Sequence, residues 1–64
     1  MNKLENEIES NKQDIEYLED FLSNEHLLTS MTALEKMLLR RKLQELQSLL
    51  DTNELLLEIS LKSV

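Results

Sequence analysis

The sequence predicts an all-α fold, an antiparallel two-helix hairpin with an overhanging C-terminal arm that assembles into an oligomeric helical bundle. Three observations carry that expectation. The 64 residues include no glycine and no proline, the strongest punctuators of a chain, while Leu, Glu, Lys, Gln and Met supply high helix propensity almost throughout. Apolar residues recur at heptad spacing in two blocks, on either side of a polar stretch. Finally, a chain of this length buries only about 60% of the surface its unfolded form exposes. The usual staples of so small a core are missing, since there is no cysteine and one histidine cannot build a zinc centre. Self-association is the remaining source of stability.

One domain, 1–64, follows, with a helix over about 3–23, a turn over about 24–30 and a helix over about 31–62. At the N-terminus Asn2 and Glu5 form a cap pair, after which Leu4, Ile8, Ile15, Leu18 and Leu22 make an amphipathic stripe. Asn11 interrupts the stripe at a seam position. It either fixes register, as a buried Asn does in a coiled coil, or faces water near a frayed end, and the narrowness of the seam favours water. Ser23-Asn24-Glu25-His26 reads as the helix stop, with Asn24 taking the left-handed conformation. Thr29, Ser30 and Thr32 are candidate caps for the second helix, and Thr32 with Glu35 has the spacing of a capping box. The second helix carries a wide stripe: Met31, Leu38, Leu39, Leu43, Leu46, Leu49, Leu50, Leu56, Leu57, Leu61 and Val64.

A rival arrangement exists, because the heptad phase of the first helix runs without a slip into Leu39, Leu43, Leu46, Leu50 and Leu57. One long helix in an intermolecular coiled coil has the same pattern. Four polar seam positions in between, Glu25, Thr29, Thr32 and Lys36, favour the hairpin. With a turn centred near residue 27, Leu4 meets Leu50, Ile8 meets Leu46, Asn11 meets Leu43, Ile15 meets Leu39 and Leu22 meets Met31. Asp14 then lies opposite Arg40 or Arg41, and Glu19 opposite Lys36. In this register the second helix outruns the first, leaving Leu55, Leu56, Leu57, Ile59, Leu61 and Val64 as an uncovered arm and the expected oligomer interface. The alternative is that Asp51-Thr52-Asn53-Glu54 breaks the helix and folds the arm back.

Charge narrows the function. The formal net charge is −6, all of it within residues 1–25, where eight acids face Lys3 and Lys12. Such a chain is a poor ligand for long nucleic acid and for anionic membranes, and no apolar run approaches a spanning helix. Solubility and a cytoplasmic location are expected. Catalysis has little support: there is no phosphate-binding glycine loop and no spaced nucleophile set, and no cofactor or metal site is expected. His26 reads as an exposed turn residue rather than a ligand. The remaining chemistry is cationic. Lys36, Arg40, Arg41 and Lys42 form a positive block that either pairs with the acidic first helix or, in an oligomer, converges into an anion pocket. Guanidinium forks suit phosphates there, and Tyr17 or Phe21 can stack on a base.

Two resemblances bear on this. Ile15-Glu16-Tyr17-Leu18-Glu19-Asp20-Phe21-Leu22, a polar turn, and Leu38-Leu39 leading a leucine-rich second helix together resemble small phage-encoded helical-hairpin accessory proteins. That class includes inhibitors of host defence that bind proteins or sequester nucleotide signals. Gln44-Glu45-Leu46 is similar to the centre of the Ser-Gln-Glu-Leu-Asp motif of two-helix sporulation phosphatases. Leu43 and Gln47 stand in place of its Ser and Asp, so that activity is not carried over. The resulting expectation is a non-enzymatic, homo-oligomeric binding protein that counters host defence by sequestering a small anionic nucleotide, such as a cyclic nucleotide. The alternative is a coiled-coil or helix-in-groove module that binds and inhibits a host protein.

Overall fold

The computed structural model describes residues 3–62, whose regular structure is helical throughout: α1 (Lys3–Ser23), α2 (Glu25–Leu28) and α3 (Ala33–Lys62). The all-α hairpin is therefore present. The one-helix alternative is not, because the chain reverses between α1 and α3. Asn2 and Val64, expected as a cap and as part of the arm, lie outside the described residues.

Local hydrogen bonds explain the reversal. Asn24 closes α1, its N–H donating to Phe21 O at 3.2 Å. It does so in an extended conformation, φ −89° and ψ 95°, and not in the expected left-handed one. The reason is that the same residue also starts the next helix. Its Oδ1 accepts from the N–H groups of His26 and Leu27, at 3.1 and 3.3 Å, and so caps the one-turn helix α2. An N-cap residue needs β-region dihedrals for that geometry. Thr29 and Ser30 act at the end of α2, where their hydroxyls donate to His26 O and Leu27 O. Thr32 and Glu35 form the expected capping box, Thr32 N–H donating to Glu35 Oε1 at 3.0 Å and Glu35 N–H to Thr32 Oγ1 at 3.1 Å.

From Thr32, α3 runs unbroken for 30 residues, about 45 Å at 1.5 Å per residue. Asp51-Thr52-Asn53-Glu54 therefore does not break it. Thr52 turns its hydroxyl back to Ser48 O at 3.0 Å, a bond made inside a helix. The described chain measures 51 × 18 × 14 Å, a two-helix rod.

The core is a single seam. Ile8, Ile15 and Leu18 of α1 are buried together with Asn11 of α1 and Asn53 of α3. Leu4 and Leu22 of α1, and Leu39, Leu43, Leu46, Leu50 and Leu57 of α3, are half-buried along the same line. Asn11, expected to face water, is only 7% exposed, and Asn53 6%.

Their contact sets the register. Asn53 Nδ2 donates to Asn11 Oδ1 at 2.8 Å, so the hairpin pivots about residue 32 and not 27. Ile8 then lies level with Leu57, Ile15 with Leu50, Leu18 with Leu46 and Leu22 with Leu43. Compared with the expected pairing, α3 has slid along α1 by ten residues, about 15 Å. The physical reason is the amide at position 11. Pairing Asn11 with Leu43 strands its polar group in the seam at a cost of about 1–3 kcal/mol, whereas pairing it with Asn53 satisfies it.

This slide removes the C-terminal overhang. Lys3 comes level with about residue 61, so the last turns of α3 run beside the start of α1, and Leu57 is half-buried in the seam. It is the start of α3, residues 33–40, that extends past α1 and lies beside the α2 turn.

Candidate functional site

Once the register is set by the asparagines, the cationic block falls in a different environment from the expected one. No ion pair among the described residues crosses from α1 to α3. Asp14 does not pair with Arg40 or Arg41, nor Glu19 with Lys36, because the slide carries the block toward the turn end. Arg41 instead reaches along its own helix to Glu45, Nε to Oε1 at 3.3 Å. Lys62 and Glu58 make the second such pair, at 2.9 Å. Both pairs are solvent-exposed and of the i,i+4 kind. Lys36 is half-buried at a seam position, and Arg40 and Lys42 are exposed.

Lys42 and Tyr17 do come together. A cleft of about 170 Å³ between the two long helices is lined by Asp14, Tyr17 and Leu18 from α1 and by Lys42 and Leu46 from α3. Tyr17 is 68% exposed, and its ring tilts 31° against that of Phe21 with centroids 6.5 Å apart. The six expected binding residues thus divide: Tyr17, Phe21 and Lys42 share one side of the hairpin, while Arg41 is engaged with Glu45. Asp14 in the cleft places a carboxylate beside Lys42 and works against an anion held there by one chain alone.

A second, larger trough of about 430 Å³ lies along α3, lined by Asp51, Glu54, Leu55 and Glu58. Three carboxylates on an open surface are a solvated face. Among the described residues, no group of three or more His, Cys, Asp or Glu side chains could hold a metal ion. No helix among them is long and apolar enough to cross a membrane. One titratable group stands apart in electrostatics. The Glu35 carboxyl is held below its ordinary value, first because its charged form accepts the Thr32 backbone N–H and second through a hydrogen bond with the Thr32 side chain.

The most distinctive surface is apolar. Leu34, Met37, Leu38, Leu49, Leu55, Leu56, Ile59 and Leu61, all on α3, are each exposed by about half or more. Of the expected interface residues, Leu55, Leu56, Ile59 and Leu61 are uncovered, and Leu57 belongs to the intrachain seam.

The residue that sequence reasoning missed is Asn53. Counting sevens from Leu39 through Leu46 arrives at it, opposite a helix whose seam also carries one Asn, and two seam asparagines on facing helices are a register signal. Its polar neighbours hide it, because they make the stretch read as a cap. Comparison with known family models, characterised proteins and solved structures gives no match to this chain.

Proposed function

We propose that this chain is a non-enzymatic helical-hairpin binding module whose docking element is α3. The observation that carries this reading is a contrast among the described residues, where three aliphatic side chains are buried and eight large apolar side chains of α3 are left open to solvent. Burying such a side chain contributes roughly 1.5–3 kcal/mol, comparable in sum with the entire stability of a small domain. A surface of that kind on a monomer marks an interaction site. Other helices are its natural ligands, because an apolar stripe at helical spacing is read by grooves and bundles.

Light scattering combined with an apolar-surface dye tests the reading. The chain is expected either to run as an oligomer or, as a folded monomer, to bind the dye. A folded monomer that does neither would sink the module.

A second reading, sequestration of a small anionic nucleotide by a phage accessory protein, draws support from the cations. Among the described residues, Lys36, Arg40 and Lys42 make no ion pair with α1, and Tyr17 offers an open ring on the Lys42 side. Calorimetric titration with cyclic and linear nucleotides decides it. Heat that is lost on changing Arg40 and Lys42 to Ala supports sequestration, and no heat with any nucleotide removes it.

A further inference from the structure

The seams of the two long helices share a phase that a hairpin does not require. Along α1 the seam advances from Leu4 to Leu22 in alternate steps of four and three residues, and along α3 it does the same from Lys36 to Leu57, always at buried or half-buried positions. Leu22 and Lys36 stand 14 residues apart, two whole heptads. A chain that reverses between its helices can start the second seam at any phase of the heptad, so agreement by chance arises about once in seven. Only a helix running straight through the turn needs the common phase, to keep both seams on one face. The turn itself carries nothing that forbids a helix. It has no glycine, no proline and no residue with positive φ. Glu25–Leu28 are already helical, and Thr29 has helical dihedrals, φ −64° and ψ −27°. What holds the reversal is a set of exposed hydrogen bonds between residues two or three apart, from the Asn24 cap to the Thr32–Glu35 box.

We propose that the turn over 24–32 is a hinge, and that two copies open it and exchange α3, forming an antiparallel dimer of straightened helices in which each α1 packs on the α3 of the other copy. The proposal goes beyond the docking reading, since it uses the seam and not the open leucines. With a two-fold axis through residue 32, the hairpin register carries over intact. Asn11 of each copy meets Asn53 of the other, as it meets its own at 2.8 Å in the hairpin, and every seam contact is made twice between the copies. Exchange of an identical element is a low-cost route to a dimer for that reason. It also adds contacts. Residues 33–40, which extend past α1 in the hairpin, run beside 24–31 of the other copy and bring Leu39 level with Glu25. Glu25 and Lys36 are opposite charges at seam positions, and they make no ion pair in the hairpin. In the exchanged dimer they come within one turn of each other on facing helices.

Spin labels at Glu16→Cys and Gln47→Cys, the only thiols in the chain, test the hinge when the doubly labelled full chain is diluted into excess unlabelled copies. Both positions are exposed, and they lie nearly level in the hairpin, which gives a short distance. In the exchanged dimer the same two labels sit on one straight helix, 31 residues apart, about 45 Å at 1.5 Å per residue. The expected result is a long-distance fraction that grows with total concentration. Two hinge variants pull it in opposite directions. Ala33→Pro places proline at the first position of α3, where it suits the hairpin, but it breaks a helix that runs through the turn. It is expected to remove the long distance and keep the short one, with helicity by circular dichroism retained. Asn24→Ala with Thr32→Ala removes both caps and is expected to lower the dimer dissociation constant by about tenfold or more. A long distance that persists in Ala33→Pro overturns the hinge. So does its absence from the wild type up to about millimolar protein, the effective concentration that a short flexible linker supplies. A dimer in sedimentation equilibrium that shows only the short distance overturns it too, and leaves the docking-helix reading standing.

Discussion

The two long helices share one seam and differ in everything outside it. On α1, the aliphatic residues Ile8, Ile15 and Leu18 are buried, and the remaining surface is mostly polar and acidic. Only Asn53 is buried on α3, and its leucines continue round the helix. A helix that is apolar on one stripe is satisfied by one neighbour, and a helix that is apolar on several faces needs more than one. Here α1 is a cover that fits one side of α3, and α3 keeps apolar side chains that α1 does not reach.

The most severe way to break that asymmetry is to remove an anchor of the cover. Ile15→Ala is expected to cost about 2–4 kcal/mol, enough to unfold much of a chain this small. Leu55→Ala on the outside of α3 should stay within about 0.5 kcal/mol. Urea melts followed by circular dichroism compare the two, and equal losses would refute the division between cover and docking helix.

The seam itself is probed next. Asn11→Ala leaves the Asn53 amide buried without its acceptor and is expected to cost about 1–3 kcal/mol. Replacing both Asn11 and Asn53 with Leu should recover or exceed the original stability while releasing the register, since leucine meets leucine equally well after a slide. A double-mutant cycle gives the coupling, and spin-label distances between the helices give the register.

A smaller effect is expected where α3 runs past α1 and depends on its own local bonds. Thr32→Ala should cost about 1 kcal/mol through loss of the cap. Its partner adds a pH dependence of known sign. With the Glu35 carboxyl lowered in the folded chain, its contribution is complete above its ordinary value and is lost as pH falls through the lowered one. The stability gap between the wild type and Glu35→Gln should therefore shrink on acidification in paired thermal melts, and a gap that widens contradicts the capping assignment. The smallest effect belongs to the exposed pair Arg41–Glu45, where Arg41→Ala is expected to change stability by no more than about 0.5 kcal/mol.

The helices are legible in the sequence, and the pairing between them is ambiguous. The stop of α1 at Ser23-Asn24 and the Thr32–Glu35 box are readable because each rests on residues within one turn of each other. Register is not, because leucines at seam spacing are interchangeable: a slide of ten residues still sets leucine and isoleucine against leucine. Only a polar residue distinguishes one alignment from another, and Asn53 reads more readily with Asp51, Thr52 and Glu54 than with Leu39 and Leu46. That single ambiguity carries through to the site. A turn near residue 27 sets Arg40 or Arg41 against Asp14 and Lys36 against Glu19 and leaves the C-terminal leucines overhanging, and the observed register does neither.

The asparagine pair also constrains how this protein can diverge. Most seam positions can drift among aliphatic residues singly, each step costing little. Positions 11 and 53 cannot, because either amide without the other is a buried polar group with no partner. Relatives that keep this register are therefore expected to change the two together, as two amides or as two aliphatic residues, although 42 positions separate them in the chain. Joint inheritance at that one pair, more than any leucine count, would mark a sequence as folding with this alignment.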